Sequence, residues 1–474
     1  MQKKSFIQRV LRYRDRHGTK QLFKQAWLHI WLPVRARWNR FAFRFQRIRP
    51  QKEPMQYVRD ATVELLLKVL GPGYKVVEPI QLTRNAKGVR ANEVVEHRFR
   101  NLTPIRFFPV PPTPGGRINI VTDSINPGSL FGGVATSVIM GLLAAQDTGR
   151  RLRIITRTEA PHPDGLDAVL GAYGIAVSGD LELSYAPIDG EEPGHIEAAP
   201  DELFITTSWW TTTAVLATVD ARQVVYLLQE DERMFYAHGD ELLRCERLLR
   251  TPDVRFVVNS KLLFDHLVAS GLDNVAARGT WFEPAFPPQV FHPRPRSGEK
   301  QVLMFYARPF NARNLFTLGL EVLEAAVVRG VIDPAKWDVV LVGKDLLPVL
   351  LGDGTCVPTR LENLDWRAYA ELVGKVDLAL SLMYTPHPSY PPFDLAASGA
   401  VVVTNTYGNK QDLSGYSRNI LCAAPEVDAL LAALAEGVKL AGDLERRRAN
   451  HAANHLPADW RDAYAQVQDA FRAG

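Results

Sequence analysis

Short, almost entirely apolar segments recur along this chain, with helical stretches or turn clusters between most of them. In the first half these segments are INIVT (118–122), LRIIT (152–156), LFITT (203–207), VVYLLQ (224–229) and VRFVVNS (254–260). Helical stretches include 133–146 and 261–271. Strands that are apolar throughout are typical of a parallel sheet covered by helices on both faces. The first half is therefore predicted to be a doubly wound α/β domain.

A second series of the same kind follows the proline-rich segment 283–298. Its apolar segments are QVLMFYA (301–307), WDVVLVG (337–343), VDLALSL (376–382) and AVVVTN (400–405), with helices expected near 313–329, 365–374 and 427–441. The length of 474 residues is roughly two to three times that of an ordinary domain, which agrees with two such units. The fold class predicted from pattern alone is α/β, with two doubly wound domains joined by a proline-rich linker.

The changes in composition divide the chain into five predicted regions. They are a basic, aromatic, amphipathic extension (1–55), a connecting segment (56–115), two Rossmann-like domains (116–290 and 291–455) and a C-terminal helix (456–474). The glycine- and proline-rich cluster PVPPTPGG (109–116) marks the start of the first domain. Ligands of open parallel sheets bind beyond the carboxyl ends of the strands, so the candidate sites are sought there.

Several function classes lack their usual signatures. No GxGxxG follows the first strand of either domain and no GxxxxGK[ST] is present, which disfavours dinucleotide enzymes and P-loop NTPases. No Asp-x-Asp occurs, and His451 and His455 lie four apart on an expected helix without a third ligand, so no metal cofactor is expected. Three scattered cysteines give no disulfide framework, and the N-terminus lacks the pattern of a signal peptide. A reducing, cytoplasmic setting is the expected default.

Residues 1–50 differ from the rest of the chain in charge. They contain fourteen Lys or Arg and one acid, Asp15, with nine aromatic residues among them. Since the whole chain carries +4, residues 51–474 carry −9. Three interpretations remain open: an amphipathic helix on an anionic membrane surface, a solvated extension that packs on protein, or a nucleic-acid-binding segment. The acidic remainder and the missing nucleic-acid motifs favour the membrane.

Two glycines and two arginines follow the first strands of the two domains. Gly132 and Gly133 open the helix after 118–122, where free N–H groups and close backbone approach favour an anion, although an ordinary turn has the same sequence. Arg308 and Arg313 follow 301–307, and two guanidiniums can converge on one doubly charged group. The alternative for the arginines is a pair of surface residues at the end of the sheet.

A third candidate lies in the proline-rich loop and short helix before the last strand. Asp394 in this helix offers a carboxylate that can accept hydrogen bonds from sugar hydroxyls. As a plain acid near a helix N-terminus, it would instead only favour the helix macrodipole. The sequence leaves both roles open.

This arrangement of motifs resembles the GT-B glycosyltransferases, and among them the retaining glycosyltransferase family 4. YARPFNARN (306–314) looks like the family's Arg-x4-Lys diphosphate clamp, with Arg313 at the Lys position. The family's helix carries two Glu eight residues apart, whereas this chain has Pro386 and Asp394 at those positions. FGGVATS, SWWTTTAV, YLLQEDERMFY, RPFNARNLF and HPSYPPFDLAASG together are similar to the WsaF-type bacterial rhamnosyltransferases, over roughly residues 115–460.

The resemblance implies a GT-B fold whose two Rossmann-like domains face a central cleft. It also implies a metal-independent transferase that takes L-rhamnose from a dTDP-linked donor. The acceptor then attacks the donor sugar on its front face, and no protein nucleophile is required. Diphosphate stabilisation then falls to fixed cations and helix N-termini. The residues expected on the donor side are Gly132, Gly133, Arg308, Arg313, Ser389, Tyr390 and Asp394.

The acceptor side is less well marked. Asp231 and Glu232 in QEDERMFY (229–236) are candidates for acceptor contact or for a base, and a solvated acidic turn is the alternative. Trp209, Trp210 and His387 are candidates for sugar contact, although paired aromatic residues at strand ends also serve as core.

The expected partners are a nucleotide-diphosphate sugar, a glycan or lipid-linked glycan acceptor and, through residues 1–50, an anionic membrane; nucleic acid is not expected. The location that follows is the cytoplasm, at the inner face of the cell membrane. Competing hypotheses are a non-catalytic GT-B-like scaffold, a membrane- or nucleic-acid-binding protein with purely structural Rossmann halves, and a two-domain oxidoreductase.

Overall fold

The computed structural model describes residues 90–472, apart from 113, 127–131, 178–180, 189–195 and 297. The extension predicted for residues 1–55 and most of the connecting segment lie outside the described residues. Two sheet-centred units, called the N-lobe (90–282) and the C-lobe (301–452) below, account for most of the described chain. Each is built of parallel strands with helices between them.

The N-lobe contains a seven-stranded parallel sheet in the order β4-β3-β2-β6-β7-β8-β9, and a two-stranded parallel sheet, β1-β5. Its strands are β1 (Phe107–Pro109), β2 (Arg117–Thr122), β3 (Arg151–Thr156), β4 (Leu181–Tyr185), β5 (Ile196–Ala198), β6 (Leu203–Thr206), β7 (Val224–Leu228), β8 (Arg255–Asn259) and β9 (Gly279–Phe282). Its helices are α1 (Ala91–Arg98), α2 (Gly133–Thr148), α3 (Leu166–Ala172), α4 (Trp209–Leu216), α5 (Asp240–Leu249), α6 (Lys261–Ala269) and α7 (Asp273–Arg278).

The C-lobe contains a six-stranded parallel sheet in the order β12-β11-β10-β13-β14-β15. Its strands are β10 (Gln301–Ala307), β11 (Trp337–Gly343), β12 (Thr359–Glu362), β13 (Leu378–Leu380), β14 (Val401–Asn405) and β15 (Ile420–Ala423). Its helices are α8 (Phe316–Val328), α9 (Trp366–Val373), α10 (Tyr390–Ala397), α11 (Val427–Gly442) and α12 (Leu444–Ala452). The predicted class, two doubly wound α/β units, is confirmed.

Apolar cores cover both faces of each large sheet, which explains why the central strands are apolar throughout. Neighbouring residues of one strand point to opposite faces. In β2, Ile120 packs in the core beside α2 and α3, whereas Val121 packs in the core beside α4, α5 and α6. In the C-lobe, the neighbouring residues Met304 and Phe305 of β10 likewise pack in the cores on opposite faces of the sheet.

The chain crosses between the lobes twice. It leaves the N-lobe after β9. After α12 it returns to the N-lobe as two short helices, α13 (Trp460–Ala465) and α14 (Gln468–Arg472), where one helix over 456–474 was predicted. Trp460, Tyr464 and Phe471 are buried in the N-lobe core beside α2. The backbone N–H of Phe286 in the first crossing donates to the carbonyl of Pro457 in the second, at 2.7 Å. The two crossings therefore run side by side.

None of the described helices combines the length and the apolar character that a membrane crossing requires.

Candidate active site between the two lobes

A cavity of about 720 Å³ lies between the lobes, at the carboxyl ends of strands from both sheets. The N-lobe wall includes the start of α2 after β2, and the C-lobe wall includes the residues that follow β10, β11 and β12. Residues from both lobes line it, among them Gly132, Gly133, Thr136, Tyr173, Tyr306, Arg308, Gly343, Lys344, Trp366, Tyr369, Ser389, Tyr390, Asp394 and Trp460. The expectation that ligands bind where the strands end therefore leads to this cavity.

Two helix N-termini meet at the cavity. Gly132 caps the sixteen-residue helix α2 with φ 47°, a left-handed value that favours glycine. Tyr390 begins α10, and its hydroxyl bonds Thr136 Oγ1 at 2.6 Å and accepts from Asn259 Nδ2 at 2.7 Å, so it bridges the lobes. Unpaired N–H groups at the start of α2 attract anions, whereas Pro391 and Pro392 remove N–H groups from the first turn of α10, which contributes mainly its helix dipole. A doubly charged ligand in this cavity meets favourable backbone dipoles from both lobes.

Arg308 and Arg313 lie in different surroundings. Arg308 is exposed and lines the cavity. Arg313 is not among the residues that line it: its Nη1 donates to Glu230 Oε2 at 2.9 Å, and its guanidinium lies over the Phe235 ring, 4.1 Å from the centroid. Burial lowers the pKa of Arg313, and the Glu230 carboxylate opposes that change. The structure brings Arg308 to the cavity and gives Arg313 a partner from the opposite lobe.

The sequence did not single out Glu230, which the structure places at this contact. It follows β7 and is 8% exposed. Burial raises its pKa to about 7, against the effects of Arg313, the Thr385 hydroxyl and Lys410. Its position directly after a buried strand was the available signal, but the two acids that follow it carried the same signal.

Asp231 and Glu232 are both buried, so the alternative of a solvated acidic turn is wrong. Burial acts to raise the pKa of Asp231, but hydrogen bonds from His266 and Arg233 outweigh it and bring the pKa to about 2. Glu232 Oε2 accepts from the backbone N–H of Trp209 at 2.7 Å, and burial raises its pKa to about 8. Asp231 is thus an ionised, paired group, and Glu232 holds the start of α4.

Asp394 lines the cavity at the fifth position of α10 and is 7% exposed. The Tyr369 hydroxyl donates to its Oδ2 at 3.2 Å, and burial raises its pKa to about 8. Ser389 and Tyr390 also line the cavity, so the three donor-side candidates of this loop and helix lie together. The interpretation of Asp394 as a plain acid near a helix end does not account for its burial in the cavity wall.

The three candidates for sugar contact separate. Trp209 is 1% exposed and its Nε1 donates to the Tyr236 hydroxyl, so it belongs to the core and its assignment to sugar contact is wrong. Trp210 is half-buried, and its Nε1 donates to both carboxylate oxygens of Asp123 at 3.0 Å. Burial raises the pKa of Asp123. Trp210 and Asp123 remain at the carboxyl edge of the N-lobe sheet as a candidate sugar platform.

His387 is 4% exposed and does not line the cavity. Its Nδ1 accepts from the backbone N–H of Ser389 at 3.0 Å, so it supports the turn into α10. Burial, together with the charges of Lys410 and Arg313, lowers its pKa to about 3. Because a buried, neutral imidazole outside the cavity cannot reach a sugar there, its assignment to sugar contact is wrong.

Lys410 is a second residue that the sequence did not reveal. It is fully buried, its Nζ donates to the Met383 carbonyl at 2.6 Å, and burial lowers its pKa to about 8. It lies in the turn after β14, and no spacing in the sequence connects it to Glu230, whose charge it faces.

Metal ligands do not cluster in the described part of the chain: no group of three His, Cys, Asp or Glu is placed to hold an ion there. His451 lies on α12, where its Nε2 contacts the Ala397 carbonyl at 2.8 Å, and His455 lies beyond the end of that helix.

Two doubly wound parallel sheets that meet at one cavity define a protein of the GT-B glycosyltransferase class. Family models name it further: the model of the WsaF N-terminal domain matches residues 117–261, and that of the WsaF C-terminal domain matches residues 301–435. The chain belongs to the WsaF family.

Known proteins are similar to this chain in sequence or in fold. The O-antigen biosynthesis protein RfbC of Myxococcus xanthus is 34% identical over 259 residues, which are 54% of this chain and 19% of that protein. The chain thus spans about a fifth of that relative's length. Among solved structures, Anabaena HepE in complex with UDP and glucose has a TM-score of 0.53 at 12% identity and covers 76% of this chain and 100% of its own. Sucrose-phosphate synthase of Thermosynechococcus elongatus has a TM-score of 0.50 at 14% identity, covering 75% and 98% respectively.

Proposed function

We propose that the chain transfers a sugar, L-rhamnose, from a dTDP-linked donor to a growing surface glycan, without a metal ion. One observation carries the proposal: Arg308 and the N-termini of α2 and α10 lie at one cavity between the lobes. Such a set of fixed positive groups suits the diphosphate of a sugar nucleotide. Anabaena HepE, which shares the fold, is in complex with UDP and glucose, and this supports a nucleotide-sugar donor.

The reaction breaks the bond between the sugar's anomeric carbon and the diphosphate. The acceptor hydroxyl attacks that carbon on the same face, the bonding electrons leave with the diphosphate, and the hydroxyl proton passes to a phosphate oxygen. Negative charge grows on the diphosphate as the bond breaks, and preorganised donors that meet this charge are often the largest source of catalysis. Arg308, Arg313 and the two helix N-termini have this role in the proposed mechanism.

Asp394 in the cavity wall and the pair Trp210 and Asp123 at the N-lobe edge complete the proposed complex. Asp394 lies one helical turn beyond the N-terminus of α10, where its carboxyl group reaches a hydroxyl of the nucleoside sugar. Trp210 offers a partly exposed ring and Asp123 a carboxylate at the N-lobe edge, where the acceptor sugar binds in the proposed complex. Rhamnose and thymidine are the donor components that the WsaF-type motifs imply.

The biological setting is the assembly of a surface polysaccharide. The name of the Myxococcus xanthus relative, an O-antigen biosynthesis protein, supports this proposal. The fourteen basic residues of the segment 1–50 suit an anionic membrane at the cytoplasmic face, where a lipid-linked acceptor is available. Sedimentation with anionic liposomes, with and without residues 1–50, tests this part, and equal binding by both forms would contradict it.

Donor turnover by Arg308→Ala tests the mechanism. We expect a rate about a hundredfold lower, which corresponds to a loss of about 3 kcal/mol of transition-state stabilisation. The assay follows rhamnose transfer from dTDP-rhamnose to a lipid-linked glycan. Arg329→Ala is the control, because Arg329 is an exposed C-lobe arginine paired with Asp428. Unchanged turnover in Arg308→Ala removes the proposed mechanism.

The identity of the donor is tested separately by thermal stabilisation with dTDP, UDP and GDP. A ligand that binds the native state raises the unfolding temperature. We expect the largest rise with dTDP, and a larger rise with GDP would overturn the proposed nucleotide.

A further inference from the structure

Glu230 and Arg313 form an ion pair across the cleft. Glu230 follows β7 of the N-lobe and Arg313 lies between β10 and α8 of the C-lobe, with 2.9 Å between Oε2 and Nη1. Their side chains are 10% and 21% exposed. Phe235 of the N-lobe covers one face of the guanidinium at 4.1 Å. The position of Arg313 therefore depends on two N-lobe side chains.

Few groups support the negative charge of Glu230. Its Oε1 is buried and has no hydrogen-bond partner among the described residues. The charges and titratable groups that face it are Asp231 on its own segment and Arg313, Lys410 and Tyr407 from the C-lobe. Lys410 is buried behind it and donates to the Met383 carbonyl, while the charge of Asp231 is already met by Arg233 and His266. Arg313 is thus the one described cation that contacts Glu230 directly.

A diphosphate bound to Arg313 changes this balance. It brings two negative charges to a guanidinium that is already paired with a carboxylate. In a partly buried site the repulsion between like charges is strong, and a carboxyl group responds by taking up a proton. The proton reaches it from solvent, and no bond other than O–H is formed.

We propose that Glu230 is a positioning residue that takes up a proton when the donor's diphosphate binds Arg313, and so makes donor binding dependent on pH. The inference rests on the proposed function, since it needs a diphosphate at Arg313. Neutral Glu230 keeps Arg313 in place without opposing the phosphates, and its O–H gains the ability to donate. Since burial already brings the pKa of this group to about 7, the proton is taken up in the neutral to mildly alkaline range.

Calorimetric titration with dTDP in two buffers of different protonation enthalpy tests the proposal, because it counts the protons taken up on binding. At pH 8 we expect a fraction of one proton for the unaltered protein and none beyond background for Glu230→Gln. From pH 7.5 to 8.5 the affinity of the unaltered protein falls more steeply than that of Glu230→Gln, by at most about tenfold per pH unit, because Asp394 of the same cavity titrates in both proteins. The last ionisation of a phosphate, at about pH 6, is complete in this range.

The variant is also expected to bind dTDP several-fold more tightly than the unaltered protein at pH 8.5, because the competing charge is gone. A merely structural role predicts the opposite, weaker binding at every pH. Glu283→Gln is the matched control: Glu283 also carries a pKa raised by burial and accepts from the Tyr416 hydroxyl of the C-lobe, at 3.1 Å, but it does not face Arg313. It should keep the proton uptake of the unaltered protein.

The outcomes separate this inference from the proposed function. If dTDP binds and the unaltered protein and Glu230→Gln take up the same number of protons, the role of Glu230 is overturned while the donor site stands. Binding to the unaltered protein without any proton uptake has the same consequence. Uniformly weaker binding by Glu230→Gln overturns it as well. If neither dTDP nor any other nucleoside diphosphate binds, both proposals fall together.

Discussion

Asp394 shows how the surroundings of a single side chain decide its chemistry. Its carboxyl group lies in the cavity wall and its Oδ2 accepts from Tyr369. Burial brings its own pKa from an ordinary value to about 8. Near neutral pH the group therefore keeps its proton to a large extent and can donate as well as accept a hydrogen bond.

Asp394→Asn is expected to change the pH dependence of stability. The pKa of Asp394 is higher in the folded protein than in the unfolded chain, so folding favours the protonated form. Its contribution to stability is complete below about pH 4 and is lost as the pH rises towards 8. Because the variant has no charge to bury, its free energy of unfolding should exceed that of the unaltered protein by about 1 kcal/mol or more at pH 8 and should equal it at pH 4.

Urea unfolding at both pH values measures this difference. Asp338→Asn is the control, because Asp338 is an exposed C-lobe carboxylate, 57% accessible, beside Lys300. The same pH dependence in both variants would show that the burial of Asp394 has no bearing on stability.

The candidate site was predictable where a rule links sequence to position. Gly132 and Arg308 were found because each lies in the segment that follows the first strand of its domain, and Asp394 because it lies in the short helix before the last predicted strand. Glu230 and Lys410 were missed because a buried charged residue in a loop has no characteristic spacing to other residues by which the sequence could reveal it. Trp209 and Trp210 were treated alike, but successive residues of a helix point about 100° apart, so one entered the core and the other the edge of the sheet.

Among the elements, α8 packs unusually close to β10, the strand that leads to Arg308. A Cβ atom on Gly319 of α8 would lie 2.2 Å from Cζ of Phe305 in β10. Phe305 also stacks on Phe316 of the same helix, with ring centroids 6.0 Å apart. The small residue therefore sets the distance between this helix and the strand.

Gly319→Ala is expected to destabilise the protein by about 1–3 kcal/mol, because a buried ring must move to admit the methyl group. Denaturant unfolding measures the change. Gly171→Ala in α3 is the matched control: no atom lies within 4 Å of the added Cβ, and its helical position favours alanine by about 1 kcal/mol. Equal stability of the two variants would mean that the helix and strand tolerate a wider spacing.

Buried strands were predicted from the sequence more accurately than exposed ones. β10 and β11 have the bounds expected from their apolar runs, 301–307 and 337–343. β4 and β12 were not predicted, because they lie at sheet edges and their residues are largely half-buried or exposed, as in LELSY and TRLE. An edge strand needs a neighbour to pair with, and that neighbour is not visible in a short stretch of sequence.

At the scale of the whole molecule, the C-terminal helices α13 and α14 pack into the core of the N-lobe. Phe471 of α14 is fully buried beside α2, and Arg472 and Tyr464 both bond Asp147 at the end of α2. The sequence indicated helix here but not its location, because an amphipathic helix does not specify which lobe it covers. The N-lobe is therefore complete only when the far end of the chain has returned to it.

Phe471→Ala should therefore destabilise the N-lobe by about 3–5 kcal/mol, the usual cost of removing a buried ring. Hydrogen exchange followed by mass spectrometry should show faster exchange in α2, with less change in the C-lobe strands. Asp469→Ala is the control, because that side chain is 94% exposed on the same helix. Faster exchange confined to α14 itself would show that the helix contributes little to the N-lobe core.

The adjacent pair of interlobe crossings, joined between Phe286 and Pro457, also restricts how the molecule can move. Rocking one lobe against the other in the plane of the two crossings strains them in opposite senses, since one must lengthen where its neighbour shortens. Swinging the lobes about the tethers strains neither. In such a hinge rotation the edge of the cleft farthest from the two crossings travels the greatest distance.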